Sequence, residues 1–393
     1  MPCVPRMRKR PVFPMTASGF AMGLSNVSVP AGQLKSGGKR IAGIEWMRAF
    51  CLICIILGHL AVASEGVREF YSQVFHSSRN LFAASGEGVE FFFIVAGFFL
   101  FKTINRTNGQ SVQGYIKRQY SKLFPSFFAV MLLCWGFGFL ASGYKLLDVV
   151  LFLPGLSLPG EVSGWGDWYI GVYFWGTLFY FLLITRCRRT WPLWVLLLVY
   201  VCISVRFNLP REYGLSKNIT LSLSGNYGGW LGVSVARGLG SLGIGVLAAW
   251  MSDQIRIRRT WVSFMLLTLL EAGCLYTAVV YLVRGLPTVN ILEIQLIFAL
   301  IIICFSLPKG GGVSCLFNRM TGILVLSKYL YVAFVAQIFV MRYLLKWPME
   351  PVESIVFAFA TVILFSLALY HLLECKAIPY LAKFFRENRT VKQ

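Results

Sequence analysis

Apolar runs long enough to cross a membrane recur along the whole of this 393-residue chain. Ten are read, at 44–63, 88–102, 123–142, 168–185, 191–207, 228–250, 261–283, 289–307, 321–345 and 354–374. A helix needs about 20 mostly apolar residues to span a hydrocarbon core of about 30 Å. Within that core only helices and closed barrels satisfy their own backbone groups. The runs therefore predict an all-α, polytopic transmembrane helix bundle of about ten spans. A composition of 57% hydrophobic and 13% charged residues agrees. The gaps between runs are too short for a soluble domain. The expected organisation is a basic tail over 1–43, a membrane domain over 44–376 and a basic tail over 377–393. The first tail, rich in Ser, Gly and Pro, is predicted to be disordered. No apolar segment of the secretory type follows its basic residues.

The net charge of +21 suggests nucleic acid at first sight. Its distribution argues otherwise. With the N-terminus placed in the cytoplasm, 25 of the 37 Lys and Arg fall on that side and nine on the other. Arg48, Arg237 and Lys328 lie within or at the ends of spans. This is the positive-inside asymmetry, and it predicts both termini in the cytoplasm. The basic excess then serves orientation and anionic head groups, so membrane lipids, not nucleic acid, are the expected partners.

Ionisable groups at membrane depth are costly and mark sites or pathways. Arg48 and His59 stand at the two ends of ten nearly all apolar residues. Eleven positions are about 1100° of helical rotation, so both share one face roughly 16 Å apart along the axis. A permanent cation near one surface and a proton-exchanging imidazole deeper in mark a candidate catalytic helix. Glu90 opens the second run, where it either caps the span or pairs with a cation. Gly97, in the same run, allows close helix approach. Arg237, in the middle of the glycine-dense run 228–250, needs a carboxylate, a carbonyl or an anionic ligand. Trp168 and Trp175 share a helix face, as do Tyr173 and Tyr180. They form an interface belt or line an internal groove. Ser327 to Tyr331 open the ninth run, and Gln337 lies inside it. His371 and Glu374 are placed to meet on one face at the end of the last run. Cys51 and Cys54 match C-x-x-C by spacing but have no second pair, so they read as small apolar residues. Asn218-Ile219-Thr220 fits a glycosylation acceptor, a pattern too common to carry weight. No Ser-His-Asp arrangement, metal cluster or glycine-rich phosphate loop is evident.

These segments together resemble the type 3 membrane acyltransferase family. Its first helix carries an acidic residue, Arg, ten residues and His, matched here by Glu45, Arg48 and His59, with Glu in place of the usual Asp. The next motif aligns with Val89-Glu90-Phe91-Phe92-Phe93-Ile94-Val95-Ala96-Gly97-Phe98-Phe99, with Glu for Asp and Ala for Ser. The family's R-x-x-R-x-x-P becomes Gln119-Tyr120-Ser121-Lys122-Leu123-Phe124-Pro125 after Lys117 and Arg118, so the charge is kept but shifted. Trp168-Tyr169 with Tyr180, Ser327 with Tyr331, and Glu374 match further positions. Phe334 stands where many members have a late His. The resemblance spans about 45 to 376.

It implies transfer of an acyl group, usually acetyl from acetyl-CoA, to a hydroxyl of a surface glycan or its lipid-linked precursor at a bacterial inner membrane. Acyl-CoA would be a donor substrate, with no permanently bound cofactor or metal. His59 would be the general base, with an acyl-imidazole as the second choice. Arg48 would hold donor phosphates or the thioester carbonyl, with Lys117, Arg118 and Lys122 adding positive charge. Glu45, Glu90 and Glu374 would orient Arg48 or His59, with Trp168 and Tyr331 in supporting places. The competing class is a proton-coupled transporter of a small polar or anionic substrate. The absence of an evident inverted repeat counts against it.

Overall fold

A computed structural model describes residues 40–377, apart from 75–80, 83, 108, 139–145, 157–166, 208–232, 259, 286–289 and 345–348. Both tails lie largely outside these residues, as do His76 and the Asn218 to Thr220 triplet. Thirteen helices are labelled in chain order. They are α1 (Ala42–Ala63), α2 (Glu65–Val74), α3 (Gly88–Thr107), α4 (Val112–Gly136), α5 (Leu146–Val150), α6 (Asp167–Arg186) and α7 (Trp191–Phe207). Then come α8 (Val233–Gln254), α9 (Trp261–Arg284), α10 (Ile291–Ser306), α11 (Gly312–Arg319), α12 (Leu330–Leu344) and α13 (Pro351–Leu369). A π-helical turn, Tyr370–Ala377, continues α13. No strand occurs among the described residues.

Each of the ten apolar runs overlaps a helix in its described part. Five helices are long and apolar enough to cross a membrane by length and composition: Ala42–Ala63, Trp168–Arg186, Ser234–Gln254, Trp261–Arg284 and Pro351–Leu373. Shorter apolar helices cover Trp191–Ser204, Ile291–Ser306 and Leu330–Met341. The ninth run differs from a single span over 321–345. A short helical turn, Ile323–Leu326, is followed by turns at 327–329, and α12 starts only at Leu330.

The bundle is built around α3, which lies along α8 and also touches α1, α6 and α10. Glycine sets the α3–α8 distance. A Cβ on Gly97 would strike the backbone of Leu242, and one on Gly245 would strike the carbonyl of Ile94. The two helices thus approach backbone to backbone, as small-residue crossings allow. Gly97→Val is expected to cost about 1–3 kcal/mol or more through overpacking, read as a lower melting temperature of the purified protein. An unchanged melting temperature would mean that the crossing is loose.

Part of the connection between α4 and α6 turns inward. Tyr120 donates to the Val150 carbonyl at 3.2 Å, and Trp175 Nε1 donates to the Leu151 carbonyl at 3.0 Å. Phe152, fully buried with φ of 53°, stacks with Phe127 and Phe174. Irregular backbone of this kind is tolerated in a membrane domain where protein covers it.

Candidate functional site

The first turn of α1 is held from a distance. Ile41, its N-cap, makes no side-chain cap. The side chain of Asn318, in α11, accepts instead from the Gly43 amide at 2.9 Å and donates to the Phe305 carbonyl at 3.1 Å. One amide thereby satisfies an open N–H at the start of α1 and a carbonyl near the end of α10. Helix α11 is fixed in turn by buried Glu271 of α9, which accepts from the Gly311 and Ser314 amides at 2.9 Å each. Arg40 donates to Ser327 at 2.6 Å, and Trp46 donates to the Met320 carbonyl at 3.1 Å.

On this anchored end, Arg48 donates to buried Glu45 at 2.9 Å. Its guanidinium lies 5.6 Å from the centre of the Phe92 ring, within cation–π range. Lys122 feels the charges of Arg48, Arg40, Glu45 and Arg118, and Tyr173 feels those of Arg48 and Arg118. The charges of Arg40 and Arg48 from the start of the chain's described part, and of Arg118 from α4, thus fall within electrostatic range of Lys122, with Glu45 as a counter-charge. Arg118 lies over the Tyr115 ring at 5.7 Å. Lys117 is exposed, and no interaction among the described residues draws it into the group. Tyr331 donates to the Leu123 carbonyl at 2.7 Å. That contact joins α12 to α4 two residues before Pro125, where the helical ladder is interrupted.

His59 lies about three turns along α1 from Arg48 and is half-buried. One polar neighbour is Gln337, fully buried on α12. The turn from Phe82 to Ser85 presses on the same stretch. A Cβ on Gly58 would collide with Ser85, and Phe82 holds φ of 61°.

Glu90 belongs to a second centre rather than to Arg48 or His59. It accepts from Arg237 Nε at 2.8 Å, from Gln295 at 3.1 Å and from Ser241. Arg237 also donates to the Gly86 carbonyl at 3.2 Å, lies 3.9 Å from Glu87 and stands 5.0 Å from the centre of the Trp168 ring. All these side chains are buried where their burial is described. Arg237 therefore has the carboxylate and the carbonyl that its depth requires. Its geometry explains why Trp168 is interior, whereas Trp175, near the middle of α6, is 39% exposed. The Glu374 side chain lies outside the described residues. His371 is exposed with Nε2 3.2 Å from the Tyr329 hydroxyl, so its described partner is that tyrosine. Cys51 and Cys54 are buried thiols within α1.

Sequence reasoning did not single out Arg40, Asn318 or the Gln295–Ser241 pair. No local pattern marks them, because their roles arise from contacts across the fold.

A family model described as an acyltransferase domain matches residues 41–371. No curated protein and no solved structure matches the chain.

Proposed function

Because this multi-pass membrane protein belongs to the type 3 acyltransferase family, we propose that it moves an acyl group, acetyl first, from acyl-CoA to a hydroxyl of a surface glycan or its lipid-linked precursor. The observation that carries this reading is Arg48, held by Glu45 and over Phe92 on the helix that carries His59, with Lys122 within electrostatic range of Arg40, Arg48 and Arg118. Four cations against one carboxylate make a strong anion field, suited to the phosphates of coenzyme A. The long pantetheine arm then carries the thioester along α1 towards His59.

The chemistry is a single displacement. His59 takes the proton of the acceptor hydroxyl as its oxygen attacks the thioester carbonyl. The tetrahedral oxyanion collapses with cleavage of the C–S bond, and the leaving thiolate takes the proton back from the His59 imidazolium. Glu45 holds the Arg48 guanidinium. The enzyme would sit in a bacterial inner membrane with the Arg40 end of α1 facing the cytoplasm, where acyl-CoA is made.

The direct test is thiol release. Purified protein given acetyl-CoA and a glycan acceptor liberates free coenzyme A, whereas a carrier would release none above background. Arg118→Ala with Lys122→Ala is expected to raise the KM for acyl-CoA about tenfold, one decade for about 1.4 kcal/mol of lost attraction, with kcat little changed. The effect should shrink at high salt. An unaltered KM would place the donor elsewhere.

Orientation has its own test. A periplasm-active reporter fused at Arg389 should be inactive, and one inserted in the 143–164 loop should be active. The reverse pattern would invert the assignment of sides.

A further inference from the structure

A cavity of about 740 Å³ opens between the ends of α3 and α6 and the starts of α4 and α7, lined by none of the residues assigned to acyl transfer. Its lining is amphipathic. Arg186 and Arg188 contribute charge, Gln110 and Ser111 contribute polar groups, and Phe181 and Trp191 form apolar wall. No acidic side chain lines it among the described residues, and neither arginine forms an ion pair there. The Gln110 Oε1 atom is buried and has no hydrogen-bond partner among the described residues. A buried acceptor of this kind lacks a donor.

We propose that this cavity binds an anionic phospholipid, with its phosphodiester on Arg186 and Arg188, a head-group hydroxyl donating to Gln110, and its chain along Phe181 and Trp191. Three independent features point to one ligand class. Two exposed guanidiniums on the cavity wall, without a carboxylate partner among the described residues, suit a phosphate. The orphaned carboxamide oxygen calls for a hydroxyl in the same molecule, as a glycerol head group supplies. The apolar wall calls for a tail. The location fits as well: basic pockets between helix ends at the membrane boundary suit anionic head groups, and Trp191 is the aromatic type enriched there. A soluble phosphate would leave the apolar wall unused. A zwitterionic lipid would gain less from two positive charges.

The test uses the full chain, purified in neutral detergent and stripped of lipid. Bound dioctanoyl-phosphatidylglycerol is counted by native mass spectrometry across a concentration series. Parallel arms use dioctanoyl-phosphatidylcholine and inorganic phosphate as a competitor. Arg186→Gln with Arg188→Gln is expected to weaken phosphatidylglycerol binding about tenfold or more. Arg189→Gln is the control, since that exposed arginine does not line the cavity, and should change affinity less than about twofold. Phosphatidylcholine should bind at least about tenfold more weakly than phosphatidylglycerol, and millimolar phosphate should not displace the lipid. The proposal is overturned if the double substitution leaves binding intact, if Arg189→Gln weakens it as much, or if phosphatidylcholine binds equally. Displacement by inorganic phosphate would also overturn it and would mark a site for soluble anions. The substituted arginines are exposed, and the mass of the intact folded species checks each variant.

Discussion

Replacing His59 with alanine is expected to lower acyl transfer by about 10²–10⁴-fold, the usual worth of a positioned acid–base group. The protein should still accumulate in the membrane, because His59 is only half-buried and α1 keeps its caps and its Glu45–Arg48 pair. The measurement is coenzyme A release by purified protein, paired with the O-acyl content of glycans from cells carrying the variant. His76→Ala is the companion control and should retain activity, since His76 lies outside the α1 motif. Full activity in His59→Ala would remove the imidazole from the mechanism and leave the cation group as a binding site without a base.

The largest expected effect on stability is at Arg237. Its guanidinium faces Glu90 and Glu87 in a buried setting. Removing one partner of a buried pair typically costs about 3–5 kcal/mol, because the remaining charge stays out of water. That is a large share of a whole domain's stability. Arg237→Ala should therefore fail to accumulate, as judged by immunoblot of membranes and by gel filtration in detergent. Combining Arg237→Met with Glu90→Gln and Glu87→Gln removes the guanidinium and both facing carboxylates and should recover much of the folded protein. If Arg237→Ala accumulates normally while the triple variant does not, the ion pairs are not what holds these helices together.

The helices were legible because lipid imposes one solution on an apolar run of sufficient length. The break before Leu330 was not, since hydropathy reports where a segment resides and not where its backbone bonds are interrupted. The same contrast divides the polar residues. Glu45 and Arg48 are three positions apart, so helical geometry brings them together without reference to the rest of the fold. Glu90 and Arg237 each stand out as ionisable groups in apolar runs, yet their union depends on α3 lying along α8. Asn318 carries no signal at all, because an asparagine near a helix end is ordinary until its distant partner is known. Phe152 is hidden for a further reason: nothing in its neighbours announces that a phenylalanine will adopt φ of 53° inside the bundle.

The long-range capping of α1 has a consequence for how the protein is made. Asn318 is 275 residues downstream of Gly43, and Ser327 is 287 downstream of Arg40. At translation rates of about 5–20 residues per second, α1 waits roughly 15–55 s before Asn318 has even been synthesised. Throughout that interval the nascent helix carries an arginine and a glutamate into the bilayer as one locally neutralised pair. The first turn of α1 thus gains its distant partners only when the final third of the polypeptide arrives, and a ribosome-bound fragment lacking α11 holds His59 in a helix whose first turn is still uncapped.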